Sequence, residues 1–414
     1  MAISFGEGTS QTREAVYDRQ LAVHKSGFVS EAHIMRVDIV HSYYSNLEPS
    51  GENQIVDAQI QSLINAGHDV RVHELRTDDL LNTRSYAVRA ASRVVSGVGQ
   101  NPLDVMRDDR PDVVHVHNLF PNWASRWLKH CDWPVVSTMH NYRPVCASAI
   151  LWRDGKDCTD CLDHSPLEAV RNSCYRDSKV ASIPVALSTL PRGAGRNQIR
   201  FSQAIITLNP LAMRIYSDLA GSGKVSFVPN FVKSPVGSRS GKDAGWLFVG
   251  RLTAEKGVIE LMRSWPASEQ LTIVGSGVLD DAVIDASLTN GNITFMGRLG
   301  HEKVQQLISN ARGLIVPSLW SEGLPTVALE AMAAGTPVVI SDNVSSADFL
   351  TRGGAGVTYS PKAGRAELQA ALSTINRSWS TFSVNAGRRY TEDFSERSWL
   401  KSIEKIYEQV VTGA

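Results

Sequence analysis

The segment from residue 313 to residue 342 reads GLIVPSLWSEGLPTVALEAMAAGTPVVISD and combines two structural patterns. Its two ends, 313–318 and 337–342, are short apolar runs rich in β-branched residues, which is typical of buried strands. Between them lies an alanine-rich stretch in which Pro325 suits the first position of a helix and Gly335 suits its end. The segment therefore predicts a strand, a helix and a second strand, as in a parallel sheet.

The same alternation of strand and helix patterns extends along most of the chain. Short, almost continuously apolar strands that alternate with helices indicate a parallel sheet covered by helices on both faces. The fold class is therefore α/β, with two Rossmann-like, doubly wound sheets that face each other across a deep cleft; ligands would bind at the carboxyl ends of their strands. The predicted strands are 36–44, 69–75, 111–120, 134–140, 204–209 and 225–230 in the first half and 246–252, 271–277, 293–299, 313–318 and 337–342 in the second.

The domain boundaries follow from breaks in this pattern. Residues 1–34 show neither strand runs nor periodicity, and we interpret them as a polar N-terminal extension. The Pro-, Gly- and Ser-containing stretch 233–245 is the predicted linker. It separates a first domain, 35–232, from a second domain, 233–394. The amphipathic C-terminal helix, 395–414, is expected to complete the first domain.

Composition excludes several classes of function. The chain has 414 residues with 42 basic and 42 acidic side chains, so its net charge is zero and no large field would attract nucleic acid. Neither a secretory signal nor an apolar run of about 18–20 residues, which a membrane span needs, is visible. We expect a cytoplasmic protein that binds no nucleic acid. Peripheral contact with a membrane stays an open alternative, and the oligomeric state is not indicated.

The segment VGRLTAEKG, 249–257, resembles a phosphate site built at the end of a strand. Gly250 would allow close approach of a ligand, and Arg251 and Lys256 flank a short turn into a helix. Two cations beside a helix N-terminus suit a diphosphate. The alternative is a pair of surface cations on an ordinary loop.

Two glutamates in the first segment need a partner, because an unpaired buried carboxylate is costly. Glu322 would lie in the loop before the helix, and Glu330 about one and a half turns inside it, so they would contact different parts of one extended ligand. The backbone amides of Gly323, Leu324 and Thr326 would point at anionic or hydroxyl oxygens. The alternative is a charge at a helix N-terminus and one solvated glutamate.

These motifs together resemble a known family. The E-x7-E form of EGLPTVALE, the upstream GRLTAEKG and the downstream AGTPVV closely resemble the retaining glycosyltransferases of family 4, which have the GT-B fold. The resemblance covers roughly Met35 to the C-terminus. It implies transfer of a hexose from a UDP- or GDP-linked sugar to a hydroxyl of a sugar, a lipid-linked glycan or a small metabolite. It also implies that the chemistry requires no metal cofactor.

The resemblance assigns roles to individual residues. Glu330 would hold the ribose, Arg251 and Lys256 the diphosphate, and Glu322 with the amides after it the transferred sugar. In PSGEN, Gly51 would approach the donor, and in STMHN, His140 would lie on the acceptor side near the reacting carbon. The implied catalytic residues are His140, Arg251, Lys256 and Glu322, and the implied donor-binding residues are Gly51, Arg251, Lys256, Met296, Arg298, Leu299, Glu322, Gly323, Leu324, Thr326 and Glu330, of which those from 296 to 299 would line the base.

His115 and His117 alternate along a predicted strand, so both side chains should point to one face of the sheet. His117, near the strand end, could reach the cleft. We interpret both as structural histidines.

Four cysteines fall in a predicted insertion of the first domain, about 143–200. Four thiolates with a central C-x-x-C can form a structural zinc site, and this segment has too little apolar content to fold alone. The spacing is not the usual two pairs, so reduced thiols and disulfides remain the alternatives. The insertion follows His140 directly and should overhang the acceptor side of the cleft. The cysteines concerned are Cys146, Cys158, Cys161 and Cys174.

Two other classes of protein compete with a transferase. Nucleotide-sugar 2-epimerases share the architecture, although the EGLP form of the motif favours transfer. A non-catalytic subunit that binds a nucleotide or a carbohydrate would be expected to have lost His140, Lys256 or Glu330, and all three are present.

Overall fold

The structure is a computed structural model. It describes residues 34–45, 51–81, 83, 85–234 and 245–413. The predicted N-terminal extension therefore lies outside the described residues except for Ile34, and so does most of the predicted linker. From Met35 onward the chain belongs to one compact unit.

The first half is built on a six-stranded parallel sheet. Its order is β2-β1-β3-β4-β7-β8, so the direction of strand addition reverses between β1 and β3. A separate two-stranded antiparallel hairpin, β5–β6, lies in the insertion. The strands are β1 Arg36–Tyr43, β2 Asp69–Arg76, β3 Val113–Asn118, β4 Val135–Met139, β5 Trp152–Arg153, β6 Lys156–Asp157, β7 Ala204–Thr207 and β8 Val225–Phe227.

The second half repeats this plan. All its neighbouring strands pair in parallel in the order β11-β10-β9-β12-β13-β14, and the reversal falls between β9 and β12. Ligands of doubly wound sheets bind outside the strand ends at such a reversal. The strands are β9 Trp246–Val249, β10 Leu271–Val274, β11 Ile293–Phe295, β12 Gly313–Val316, β13 Val338–Ser341 and β14 Gly356–Tyr359.

Helices connect most of these strands. Their amphipathic or apolar faces pack on the sheets and form separate cores on either side of each sheet. The helices are α1 Gly51–Asn65, α2 Thr77–Leu81, α3 Tyr86–Ser96, α4 Leu103–Asp109, α5 Asp160–Asp163, α6 Glu168–Arg171, α7 Lys179–Thr189, α8 Asn197–Phe201, α9 Pro210–Ala220, α10 Val258–Ser264, α11 Asp280–Thr289, α12 His301–Asn310, α13 Thr326–Ala333, α14 Ala347–Thr351, α15 Arg365–Arg377, α16 Trp379–Arg389 and α17 Glu396–Thr412.

The last helix, α17, returns to the first half. Its apolar side chains Trp399, Ile403 and Tyr407 are buried in one core with Val37 of β1 and Val113 of β3. The chain thus crosses between the halves twice. The two crossings are hydrogen-bonded to each other: the Tyr390 hydroxyl donates to the Val232 carbonyl at 2.9 Å, and the Val232 amide donates to the Phe394 carbonyl at 3.3 Å.

The predicted fold class is confirmed, and local boundaries differ. Except for β2, the predicted strands run past the observed ones because their last residues form the loops at the sheet edge. Pro325 is the N-cap of α13, not its first residue; it has extended backbone geometry (ψ 111°), and the helix begins at Thr326. Strand β14 and the hairpin β5–β6 were not predicted. Among the described residues, none of the helices is long and apolar enough to cross a membrane.

Candidate active site

The loops after β9 and β12 are in backbone contact at Gly257. This residue has a φ of 70°, and a Cβ atom there would lie 2.2 Å from the Pro317 carbonyl oxygen. Only glycine tolerates both conditions. The contact brings the short helical turn Ala254–Lys256 against the loop that carries Glu322.

Lys256 and Glu322 form a pair inside this contact. Lys256 Nζ donates to Glu322 Oε1 at 2.5 Å, and the Ser318 hydroxyl donates to Glu322 Oε2 at 2.5 Å. Glu322 is buried. The energetic cost of burying the Glu322 carboxylate is therefore offset, because both of its oxygens accept charge-assisted hydrogen bonds.

The pair forms part of a pocket of about 390 Å³ at the reversal between β9 and β12. Arg251, whose side chain is 71% exposed, lies at its open side with Nη2 3.7 Å from Glu255. Half-buried Glu330 projects from α13 into the same pocket, and burial raises the pKa of its carboxyl. The predicted donor residues that line this pocket are Arg251, Lys256, Leu299, Glu322, Thr326 and Glu330.

The segment predicted to line the base, 296–299, contributes one residue to this pocket. Leu299 lines the pocket, whereas Met296 and Arg298 are exposed and lie outside the pocket lining. The reason is that β11 ends at Phe295 and the backbone then turns at Gly297, which has a φ of 65°. His301, the first residue of α12, lines the pocket beside Glu330 and was not predicted.

The first half completes a second cavity, of about 270 Å³, between the two sheets. Gly51 at the start of α1 and His140 at the end of β4 line it from one side. Glu322 and its neighbours line it from the other. The residues of the second half in this cavity are Trp320, Glu322, Gly323, Leu324 and Thr326. The structure thus brings His140 and Glu322 to one cavity.

His140 does not stand alone. Its Nε2 atom lies 2.9 Å from Nδ1 of His117, and burial lowers the pKa of His140 to about 3, so its imidazole is neutral at pH 7. His115 bonds the Tyr407 hydroxyl at 2.7 Å and the Thr138 hydroxyl at 2.8 Å, a structural arrangement. The interpretation of His117 as structural is incomplete, because it contacts the candidate catalytic histidine. The contact between His117 and His140 depends on the pairing of β3 with β4, which are distant in sequence.

Glu52 is a cavity residue that sequence reasoning missed. Asn141 Nδ2 donates to Glu52 Oε2 at 3.1 Å, and burial raises the pKa of the Glu52 carboxyl to about 7. The residue follows Gly51 directly. The only sequence signal was its place in PSGEN.

Replacing Glu52 with glutamine should change how stability depends on pH. The folded-state pKa near 7 lies above the ordinary value of 4.5, so this carboxyl binds more protons in the folded protein than in the unfolded chain between these values. Its contribution to the free energy of unfolding should therefore fall as pH rises from 5 to 8, by about 2–3 kcal/mol. Buried histidines whose pKa values are lowered oppose this fall, and they do so equally in wild type and variant. Urea unfolding at pH 5 and pH 8 should therefore show a change in the free energy of unfolding that is about 2–3 kcal/mol more positive for Glu52→Gln than for wild type.

The control for this test is Glu408→Gln, an exposed glutamate on α17. It should retain the wild-type dependence on pH. Equal changes in the free energy of unfolding between pH 5 and pH 8 in wild type and Glu52→Gln would show that Glu52 does not titrate in this range.

The insertion reaches across to the second half. Asp157, at the end of β6, accepts hydrogen bonds from the backbone amide of Ser321 at 3.0 Å and from its hydroxyl at 2.8 Å. Ser321 immediately precedes Glu322. The prediction placed the insertion over the acceptor side, and the structure adds this contact with the loop on the donor side.

The four cysteines of the insertion are unbridged. Cys146 is buried and the others are half-buried. Burial and the three neighbouring thiols raise the pKa of Cys161 to about 12. Within the described part of the chain, no group of three or more His, Cys, Asp or Glu side chains is arranged to hold a metal ion. The zinc site therefore gains no support from the structure and stays a prediction.

Solved structures share this arrangement of two sheets. Sucrose-phosphate synthase from Thermosynechococcus elongatus covers 92% of this chain and 100% of its own, with a TM-score of 0.61 and 15% identity. HepE from Anabaena, in complex with UDP-glucose, covers 92% and 100%, with a TM-score of 0.55 and 14% identity. These likenesses show the GT-B fold, with two sheets whose strand ends face each other.

Sequence comparison identifies the family. The model for Glycosyltransferase Family 4 matches residues 49–234, and the model for Glycosyl transferases group 1 matches residues 244–377. The two matched ranges together cover most of the chain, which therefore belongs to the family 4, group 1 glycosyltransferases. This confirms the resemblance seen in its motifs. Glycogen synthase from Mycobacterium tuberculosis is 27% identical over 331 residues, which span 75% of this chain and 72% of the relative.

Proposed function

We propose that this glycosyltransferase acts with retention and moves a hexose from a UDP- or GDP-linked sugar to a hydroxyl group of a sugar, a lipid-linked glycan or a small metabolite. The observation that carries the proposal is the 390 Å³ pocket, which is lined by the two cations Arg251 and Lys256 and by Glu330. This volume is typical of small-ligand sites. HepE, which has this fold, binds UDP-glucose.

The charges of the pocket suit the departing diphosphate. Negative charge develops on the leaving phosphate as the bond to the sugar breaks, and fixed cations stabilise such charge strongly in a partly desolvated site. Lys256 is held in position by Glu322, and Arg251 is free enough in solvent to follow the ligand. We propose that these two cations replace a divalent metal in this role.

In the proposed reaction, the 270 Å³ cavity between the two sheets holds the transferred sugar and the acceptor. Backbone amides of Gly323 and Leu324 adjoin Glu322 there, and His140 faces them from the first half. Neutral His140 can exchange hydrogen bonds with hydroxyl groups without placing a positive charge beside the oxocarbenium-like sugar. We propose that an oxygen of the leaving diphosphate takes the acceptor proton. Cytoplasmic location and peripheral contact with a membrane stay predictions.

A panel of nucleotide sugars tests the proposal. Purified protein is incubated with each UDP- and GDP-hexose and with candidate acceptors, and free nucleotide and product mass are measured. We expect one donor to be consumed, with a product whose anomeric configuration matches the donor. An epimerised donor without transfer would identify the enzyme as an epimerase, and an inverted product would exclude retention.

Replacing Glu330 with glutamine should weaken donor binding. A carboxylate can accept two hydroxyl hydrogen bonds from a ribose, and a glutamine has only one acceptor oxygen to offer. Loss of one charge-assisted hydrogen bond should raise the donor KM by about ten- to a hundredfold, with a much smaller change in kcat. Steady-state kinetics with varied donor measures the split.

Glu408→Gln, distant from the pocket, serves as the control and should keep the wild-type KM. A Glu330→Gln enzyme with unchanged KM would remove Glu330 from the ribose site.

A further inference from the structure

A small cavity lies in the first half directly behind His140. It is about 60 Å³ in volume, several times the ~10–15 Å³ that one water molecule needs, and too small for a sugar ring. Met139, His140 and Asn141, at the end of β4, line both this cavity and the 270 Å³ cavity that contains Glu322. The small cavity is therefore adjacent to the place where transfer is proposed.

Nitrogen atoms without hydrogen-bond partners are concentrated around this cavity. Buried and unpaired are Nε of Arg93, Nε2 of His117, Nε of Arg143 and Nε2 of Gln198, and all four residues line it. His117 itself is only 3% exposed. The nitrogens of Arg93, Arg143 and Gln198 are donors, whereas the role of His117 Nε2 depends on its tautomer. Buried polar atoms are normally hydrogen-bonded, so three unpaired donors around one cavity indicate a ligand that supplies acceptor atoms.

The cavity also carries two cations that no carboxylate pairs directly. Neither Arg93 nor Arg143 forms an ion pair with any carboxylate in the described part of the chain. Both residues are half-buried. The Glu52 carboxyl acts on Arg143 electrostatically without forming an ion pair, so the positive charge is only partly offset, and an anionic ligand would stabilise it further.

The two arginines are held in place before any ligand binds. Arg93 Nη1 donates to the Pro121 carbonyl at 3.2 Å. Arg143 Nη1 donates to the Ala147 carbonyl, and its guanidinium group lies 4.6 Å from the centre of the Phe120 ring and 5.3 Å from that of Tyr175. These contacts leave the Nε–H groups unpaired and fix their positions, so little ordering is needed on binding.

We propose that this cavity binds an oxyanion, a carboxylate or phosphate group of the acceptor substrate, through Arg93, Arg143 and Gln198. Planar guanidinium groups are well suited to both kinds of anion. The small cavity admits only the charged substituent, and the rest of the acceptor extends past His140 into the 270 Å³ cavity that contains Glu322. The acceptor is thus an anionic sugar or phosphorylated compound. The role of the anion as part of an acceptor rests on the proposed function; the anion site does not.

Direct binding of simple anions tests the site. Inorganic phosphate and acetate are titrated separately into the full-length protein by calorimetry, which distinguishes a phosphate site from a carboxylate site. The variants are Arg93→Gln with Arg143→Gln, and Lys256→Ala to identify any phosphate bound in the donor pocket. Arg192→Gln, an exposed arginine near the cavity, is the matched control.

We expect one of the anions to bind at this site. The double variant should lower its affinity at least tenfold, whereas Arg192→Gln and Lys256→Ala should leave it unchanged. If the double variant does not fold, Gln198→Ala should lower the affinity about two- to fivefold without changing the charge. Anion binding that depends on Lys256 alone, or no binding of either anion, would overturn the proposal. Failure of all sugar transfer with intact, arginine-dependent anion binding would refute the proposed function and not the site.

Discussion

An enzyme in which Lys256 is replaced by alanine should lose about a hundred- to a thousandfold in kcat/KM, the range found when one preorganised electrostatic group is removed from an active site. Lys256 Nζ lies 2.5 Å from Glu322 Oε1 in the donor pocket, where it would face the departing diphosphate. Its loss removes the fixed counter-charge and leaves the Glu322 carboxylate with one fewer donor. Steady-state kinetics with the donor found by the panel measures the loss.

Two comparisons show whether the loss is specific. Lys303→Ala removes an exposed lysine of α12 and should leave kcat/KM unchanged. Among the described residues, its side chain donates only one long hydrogen bond, of 3.5 Å, to Gln306. Circular dichroism of Lys256→Ala should match that of the wild type. Near-normal turnover of a folded Lys256→Ala enzyme would show that the diphosphate binds elsewhere.

Gly257→Ala should have the largest effect on folding, with a loss of activity as its consequence. The added Cβ atom would lie 2.2 Å from the Pro317 carbonyl, and the φ of 70° is unfavourable for alanine. The Pro317 oxygen belongs to the backbone and not to a flexible side chain, so the two loops must separate. We expect a loss of at least about 2 kcal/mol in the free energy of unfolding. Because Lys256 is the preceding residue, kcat should fall more than tenfold.

Gly291→Ala is the control for this substitution. A Cβ atom at Gly291 meets nothing within 4 Å, and its φ is not in the left-handed region. Denaturant unfolding of the two variants should therefore differ clearly. If Gly257→Ala is as stable and as active as Gly291→Ala, the close contact between the loops after β9 and β12 is not needed for the site.

The parallel sheets could be predicted because buried strands of such sheets are short and almost uniformly apolar, as in GLIV of β12 and VVIS of β13. Strand β14, GVTY, has the same length but contains only one aliphatic side chain and is mostly half-buried, so it lacks that signal. The hairpin β5–β6 has two residues per strand, which is too few for any pattern.

For the site, too, only features with a local sequence signal could be predicted. Glu322 before α13 and Glu330 within it could be placed from helix start signals alone. The bond between Lys256 and Glu322 joins residues 66 positions apart, and that between His117 and His140 depends on the adjacency of β3 and β4. The raised pKa of Glu52 comes from burial, which depends on the whole fold. Pairings and environments of this kind have no local signal in the sequence.

The paired crossings at Val232, Tyr390 and Phe394 have a mechanical consequence. Because α17 is anchored in the core of the first half by Trp399, the two segments that connect the halves are hydrogen-bonded to each other where the first leaves at Val232 and the second returns at Tyr390 and Phe394. Two adjacent tethers resist twisting more than a single one, and they confine relative motion to rotation about a common pivot. Any opening of the cleft should therefore be a bending motion that leaves this pivot almost stationary and separates Asp157 from Ser321.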